Sequence, residues 1–346
     1  MNPVKVLIVD DSPIVRTVLK RILDSDPDIT VAGTAINGQE AMFILENHTI
    51  DLILTDLNMP VMDGHTLVKK VMQTFPKPII VISSSVSKSG KDENAFRLIE
   101  SGALEVLPKP EGIMAGAKSL ESKSLLDKIK TLSQVVVLPK QNGFIGKKDK
   151  EDIKPLVSLS KSSVVVIGSS TGGPQTLQKI FESIRAPFPL PILVAQHISR
   201  GFLANMVEWL GKNLAFEVHI AKDQERPLSG KIYFAPDDAH LTVNGRGLFE
   251  TVKPASSDLH TPSVDVLFNS VTNYYNDRAV GILLTGMGKD GAAGLLDMKN
   301  KGCFTVAQDE ASSIIYGMPK AASEIGAASK VLSLDSIISF LDRIKK

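Results

Sequence analysis

The chain has 346 residues, enough for about two domains and a substantial core. Its 39 basic and 38 acidic side chains leave a formal charge of +1, without the excess of Lys and Arg that gives nonspecific affinity for nucleic acid. Hydrophobic residues at 43% and charged residues at 22% exclude disorder along the whole chain, and aromatic residues at 5% are too sparse for a base-stacking surface.

The first block alternates short apolar runs with helical patterns. Val4–Val9 reads as a buried strand, and Pro13–Leu23 as a helix with Ile14, Val15, Val18, Leu19 and Ile22 at helical spacing. A strand over 30–35 and a helix over 39–47 follow, then a strand over 52–55 that ends at Asp56. Ile79–Ser83 is a fourth strand, and 104–107 a fifth ahead of Lys109 and Pro110. This alternation predicts a doubly wound α/β fold, a parallel sheet with helices on both faces. Leu120–Leu132 has the spacing of one last amphipathic helix. Beyond it the periodicity stops, and 140–152 is rich in Lys, Gly and Asp, as a solvated tether is. The second block predicts strands at 164–167, 192–195, 231–235 and 279–285, with helices over 175–183 and 202–210 and a closing amphipathic helix over 336–346. It reads as a second, larger doubly wound unit with a mostly parallel sheet. The expected division is therefore a domain over 1–125, a linker over 126–161 and a domain over 162–346.

No targeting segment is expected, because the apolar start is short and runs straight into Asp10 and Asp11. No apolar run approaches the ~20 residues of a spanning helix, so direct membrane insertion is not expected either. The single cysteine, Cys303, rules out an internal disulfide framework and a cysteine-built zinc site, and fits a cytoplasmic location.

Ligands of a doubly wound sheet bind beyond the carboxyl ends of its strands. In the first block Asp10 and Asp11 follow the first strand, Asp56 the third, Ser83 closes the fourth and Lys109 follows the fifth. Crowded carboxylates repel unless a cation lies among them, and three Asp with carbonyl and water oxygens suit octahedral Mg2+. A carboxylate beside such a metal is able to accept a phosphoryl group, whose oxygens Ser83 and Lys109 would then meet. Asp at a strand end also serves simply as a helix cap, so Asp10 and Asp11 alone are not specific. The joint pattern is more so. Asp56-Leu57-Asn58-Met59-Pro60, Asp63-Gly64, Ser83 and Lys109-Pro110 together resemble the receiver domain of two-component response regulators over residues 1–125. That resemblance implies a flavodoxin-like fold with Asp56 as phosphoacceptor and Ser83 and Lys109 as switch residues. It also implies Mg2+ held by Asp10, Asp11, Asp56 and the main-chain carbonyl of Asn58. One departure is Val106, where many receivers carry an aromatic switch residue three positions before the lysine.

In the second block Gly168-Ser169-Ser170-Thr171-Gly172 matches G-x-S-x-G between a predicted strand and a predicted helix. Small residues there let the backbone bend and lift a serine at the sheet edge, beside a helix N-terminus that favours negative charge. A phosphate-binding loop or a plain turn has the same pattern. A nucleophilic serine needs a base. Of six histidines, His197 is best placed, directly after the strand at 192–195. His48 and His65 lie in the first block and His219 within an expected strand, while His240 and His260 lie in loops that spacing does not dismiss. For the acid that orients the imidazole, Asp290 follows the strand at 279–285, with Asp237, Asp265 and Asp309 as rivals. The order Ser, His, Asp differs from that of the α/β-hydrolases, so the motif does not predict that fold.

Ile167–Pro174, Gln196-His197, Ala235-Pro236, Pro262 to Phe268, Leu284 to Asp290 and Tyr316-Gly317-Met318-Pro319 together look like the chemotaxis methylesterase domain. With a receiver in front, the whole chain resembles the response-regulator protein-glutamate methylesterases of bacterial chemotaxis, the CheB family. The resemblance implies Ser170 as nucleophile, His197 as base, Asp290 as orienting acid, and backbone N–H groups near Thr171 and Met287 in the oxyanion hole. It implies hydrolysis of glutamate methyl esters, and deamidation of glutamines, on cytoplasmic helices of chemoreceptors. A chemotaxis histidine kinase would supply the phosphoryl group, Mg2+ would serve the receiver only, and the receiver would restrain the esterase until Asp56 is phosphorylated. A second departure is Thr261, where relatives commonly have Arg after the histidine. The alternative is a phosphorylation-controlled binding module in which the Ser170 turn is architectural.

Overall fold

Two units make up the chain, Met1–Gly146 and Lys147–Lys346, and the computed structural model describes residues 2–83, 94–109, 120–137, 161–212 and 214–344. The first unit runs β1 (Val4–Val9), α1 (Pro13–Leu23), β2 (Ile29–Ala35), α2 (Gly38–Asn47), β3 (Leu52–Asp56), α3 (Gly64–Thr74), β4 (Ile79–Ser83), α4 (Asn94–Ser101), β5 (Glu105–Pro108) and α5 (Leu120–Leu132). Its strands pair in parallel in the order β2-β1-β3-β4-β5, the flavodoxin-like arrangement. Every residue of β3 and β4 is buried, as expected of central strands covered on both faces. Helix starts follow local chemistry. Ser12 caps α1 by accepting from Val15 N–H ahead of Pro13, and Asn37 caps α2 by accepting from the N–H groups of Gln39 and Glu40.

Two differences from the sequence expectation concern this unit. The fifth strand lies one residue later than 104–107, and α3 and α4 are additional elements, although Leu67, Val68, Val71 and Met72 form a buried face of α3. Helix α5 passes through position 125 and ends at Leu132 within the first unit. Of the expected linker over 126–161, residues 138–160 lie outside the described residues.

The second unit runs β6 (Val164–Ser169), α6 (Gly173–Ser183), β7 (Ile192–Gln196), α7 (Leu203–Lys212), β8 (Glu217–Ile220), β9 (Lys231–Phe234), β10 (His240–Val243), β11 (Phe249–Val252), α8 (Val264–Tyr275), β12 (Ala279–Leu283), α9 (Ala292–Asn300), β13 (Phe304–Gln308), α10 (Met318–Glu324), β14 (Lys330–Leu332) and α11 (Leu334–Leu341). Seven parallel strands form one sheet in the order β14-β13-β12-β6-β7-β9-β8. A separate antiparallel hairpin, β10-β11, packs through β10 against α8. Tyr233 of β9 and Phe249 of β11 meet edge to face at 5.0 Å in a core that also holds Val264, Phe268 and Leu283. The hairpin, β13 and β14 go beyond the sequence expectation; at three to five residues each they show too little periodicity to stand out. The closing helix is α11, ending at Leu341 rather than running to 346. Among the described residues no helix is long and apolar enough to cross a membrane.

Candidate active site

In the second sheet β6 lies between β12 and β7. The strands that follow β6 directly, β7, β8 and β9, lie on one side of it, and the later strands β12, β13 and β14 on the other. The carboxyl end of β6 is therefore the topological switch point, where a crevice opens between diverging connections. Ser170 is the first residue past β6 and His197 the first past β7, while Asp290 lies in the loop after β12. His197 Nε2 is 2.8 Å from Asp290 Oδ2, so this pair reaches across the end of β6, where Ser170 emerges. An ionised carboxylate only accepts hydrogen bonds, so Nε2 carries a proton, and in the neutral ring Nδ1 is the nitrogen with the lone pair.

The Ser170 backbone is tied to both neighbouring strands. Its N–H donates to Thr285 O at 3.0 Å, and its carbonyl accepts from Gln196 Nε2 at 2.9 Å and Gly173 N–H at 2.8 Å. Its hydroxyl makes no hydrogen bond among the described residues. Nucleophile–base contacts in ligand-free sites commonly tighten only with substrate. The left-handed residue of the turn is Gly172 (φ +79°), which opens α6 without a side-chain cap and leaves the helix N-terminus beside the serine. Ser170 itself has no positive φ, which separates this turn from the strained elbow of the α/β-hydrolases. Gly286 packs directly on the serine: a Cβ there would lie 2.7 Å from Ser170 Cβ, closer than such atoms approach. Thr171 and Met287 thus both flank Ser170, one as its chain neighbour and one through Gly286.

In the first unit the carboxylates of Asp10, Asp11 and Asp56 lie with oxygens within 4.8 Å of one another. Lys109 Nζ contacts Asp10 Oδ2 and Asp56 Oδ2, each at 2.8 Å. Burial pushes the Asp56 carboxyl up, Lys109 pulls it back and the charge of Asp10 adds to the rise. Burial disfavours the charge of Lys109, but its hydrogen bonds to Asp10 and Asp56 win and raise it. An all-oxygen donor set with more negative charge than one lysine offsets fits a hard divalent cation. Ser83 is buried, and its carbonyl accepts from Lys109 N–H at 2.7 Å; Asn58 is exposed just past Asp56, and Val106 is buried in β5.

Residues 165–341 match the family model of the CheB methylesterase, and residues 6–120 that of the response regulator receiver domain. A protein of Nitrosospira multiformis named protein-glutamate methylesterase/protein-glutamine glutaminase is 39% identical over 344 residues, covering 99% of this chain and 97% of that protein. The chain belongs to the CheB methylesterase family. A Syntrophus aciditrophicus relative named protein-glutamate methylesterase/protein-glutamine glutaminase 1 is also 39% identical, over 99% of this chain and 98% of its own. The crystal structure of the Thermotoga maritima CheB methylesterase catalytic domain superposes with a TM-score of 0.51 at 34% identity, over 53% of this chain and 99% of that one.

Within this methylesterase unit the rival residues have other partners. His240 bonds Asp258 at 2.9 Å, His219 bonds Glu217 at 3.2 Å, Asp237 accepts from Gly201 N–H and Asp309 accepts from Ser312. In the first unit, His65 meets Ser101 Oγ and His48 ends α2. Sequence reasoning missed the residues that hold the site. Gln196 is buried; its Oε1 accepts from Ser169 Oγ at 2.6 Å and its Nε2 donates to the carbonyls of both Ser170 and His197. A Cβ at Gly173 would overlap Gln196 Oε1, so only glycine leaves room for that clamp. Asp290 accepts from Val264 N–H, Asp265 N–H and Ser263 Oγ at the start of α8, which fixes its carboxylate before it meets His197. Thr285 Oγ1 donates to Thr171 O, and Thr285 N–H donates to Gln308 Oε1. A polar residue directly after an apolar strand run, as Gln196 is, was the available signal. Beside Asp290 lies a cavity of about 540 Å³ lined by His260, Asp265, Lys289 and the 90% exposed Leu259.

Asp265, one of the rivals, accepts from Gly294 N–H at 2.6 Å instead. Burial raises its carboxyl from 3.8 to about 6; the Gly294 N–H opposes the rise and the charge of Asp290 adds to it. The folded state thus holds this proton to higher pH than the unfolded chain. Its contribution is most favourable below about pH 4 and declines as pH rises to about 6. Asp265→Asn keeps the acceptor and removes the charge. It should be more stable than wild type at pH 7, with the difference shrinking as pH falls toward about 4. Thermal unfolding of both proteins at the two pH values measures this, and an equal difference at both contradicts it.

Proposed function

We propose that this chain is a phosphorylation-activated serine esterase that hydrolyses glutamate methyl esters, and deamidates glutamines, on cytoplasmic helices of chemoreceptors. The observation that carries the reading is the His197–Asp290 pair spanning the end of β6 above Ser170. Ser170 gives its hydroxyl proton to His197 Nδ1 as Oγ attacks the ester carbonyl. The oxyanion develops beside the α6 N-terminus, where the backbone N–H groups near Thr171 and Met287 are the proposed donors. The imidazolium returns the proton to the departing methoxy oxygen, and methanol leaves. Water, deprotonated by His197, then opens the acyl-enzyme to the free glutamate and Ser170. Asp290 keeps the proton on Nε2 throughout, so that Nδ1 faces the chemistry as a base. An amide passes through the same tetrahedral stage, which accounts for deamidation.

In the receiver, Asp56 is the proposed phosphoacceptor, with a chemotaxis histidine kinase as donor and a cytoplasmic location for both. Asp10, Asp11, Asp56 and the Asn58 carbonyl would hold Mg2+, which supplies charge neutralisation for the carboxylates and the phosphoryl oxygens. A phosphoryl group adds about two negative charges. Hydrogen bonds from Ser83 and Lys109 to it, at ~1.5–3 kcal/mol each, are enough to shift a two-state equilibrium by roughly 10²–10⁴-fold. Val106 has no aromatic ring to reorient, so the signal leaves β5 by another route.

Methanol release from methylated receptor membranes is the test. Acetyl phosphate with Mg2+ is expected to raise the rate of the full chain by about 10-fold or more, and Asp56→Asn should remove that rise. The 162–346 fragment should outperform the unphosphorylated full chain. Equal rates for the two would end the regulatory part of the reading, and no release from either would end the esterase part.

A further inference from the structure

We infer that His260 is a positioning residue for the base of this site, holding the plane of the His197 imidazole while Asp290 holds its edge. The inference rests on the esterase reading. The two rings stack with centroids 4.6 Å apart and planes 12° from parallel. Among the described residues the His197 ring has one hydrogen bond, from Nε2 to Asp290. One hydrogen bond fixes a point and not a plane, so the ring is left free to swing about it and carry Nδ1 away from Ser170. The bonds at the His197 backbone, its N–H to Ser169 O and its carbonyl from Gln196 Nε2, do not restrain that rotation. A flat side chain in contact with the ring face does.

The loop that carries His260 is pinned on both sides of it. Asp258 accepts from His240 Nε2 at 2.9 Å and from Ala255 N–H at 2.7 Å, and Ser263 N–H donates to His240 Nδ1 at 3.0 Å. His240 itself is buried. The His260 ring makes no hydrogen bond among the described residues, and the residue is exposed at the surface. Its stack on His197 is therefore its contact with the site, and replacing it should not disturb the fold.

Charge matters to the same contact. Covering one ring face lowers the His260 pKa, the charge of His197 lowers it further, and Asp290 opposes both. Asp258, His240, Asp265 and Lys289 line the adjoining cavity and complete the charged surroundings. A neutral His260 presents its ring face to the imidazolium that forms on His197 during turnover, an arrangement that favours a cation. A protonated His260 would instead set two positive rings face to face.

The experiment measures kcat and KM for methanol release from methylated receptor by the full chain, activated with acetyl phosphate and Mg2+. Wild type, His260→Ala and His260→Phe are compared from about pH 5 to about pH 8. His260→Ala is expected to lower kcat about 10- to 100-fold with KM within about twofold. His260→Phe, flat but without a titrating nitrogen, is expected to recover most of kcat and to lose activity less steeply toward acid than wild type. An unchanged kcat in His260→Ala, a loss carried by KM, or a Phe variant no better than Ala overturns the inference. Acid limbs of equal steepness overturn its titration component. Absence of release from wild type overturns the esterase reading, and the inference with it.

Discussion

Ser170→Ala is expected to abolish methanol release from methylated receptor, with a fall in kcat on the order of 10⁴–10⁶-fold. The variant removes the only atom proposed to bond covalently to substrate. A residual rate above that of water is expected, because the α6 N-terminus and the bound geometry survive. Stability should change by no more than about 0.5 kcal/mol, since the hydroxyl makes no hydrogen bond among the described residues and the backbone contacts to Thr285, Gln196 and Gly173 are untouched. Receptor binding should persist. Lost turnover with intact binding separates the esterase from the phosphorylation-controlled binding module, which predicts no change in either. Wild-type turnover in this variant would remove Ser170 from the mechanism.

Asp290→Asn should cost about 10⁴-fold in kcat at unchanged geometry. The carboxylate accepts four hydrogen bonds, from His197, Val264, Asp265 and Ser263. An amide has one oxygen. If that oxygen serves the α8 N–H groups, its NH2 donates to His197 Nε2, and the imidazole proton moves to Nδ1. The base then presents a proton to Ser170 instead of a lone pair. Folding should also suffer, by about 1–3 kcal/mol, from a charge removed at a helix N-terminus and from donors left facing donors. Burial alone would raise the Asp290 carboxyl, but the hydrogen bond and charge of His197, with the N–H groups of Val264 and Asp265, outweigh it and hold the carboxyl far below its ordinary value. Its stabilising contribution is therefore present above about pH 4 and is lost as pH falls toward the folded value. Urea unfolding of wild type and variant at neutral and acid pH should show the gap closing toward acid. A variant with normal kcat would assign the orienting role to another residue.

Most of the candidate site is legible in the sequence because its residues sit at the ends of apolar runs. Asp10, Asp11 and Asp56 follow β1 and β3, Ser170 follows β6 and His197 follows β7. A parallel sheet sends all of these ends to one edge, so strand order need not be known to expect them near each other. The acid is harder. Asp290 and Asp265 are both loop or helix-start residues of one region, and spacing does not say which carboxylate faces the imidazole. Gln196 carries only the signal of a polar residue ending an apolar run, and Ser263 and Thr285 are illegible as supports, because their partners lie across strands and loops distant in sequence. The stack of His260 on His197 joins residues 63 positions apart through a loop without periodicity.

Local pattern suffices for the two α/β units, the parallel sheets, the carboxylate cluster of the receiver and the serine turn between β6 and α6. Apolar runs, capping residues and small residues at a bend act within a few positions of one another, so the amino-acid order carries them directly. Spacing leaves Asp290 and Asp265 open and the family motifs point to Asp290, but only the packing of distant segments joins it to His197, carries that pair across the end of β6, and brings Gln196 and His260 to the base. Those outcomes depend on strand order and on how α8 and its preceding loop pack, where single hydrogen bonds and ring contacts discriminate between residues that local pattern leaves equivalent.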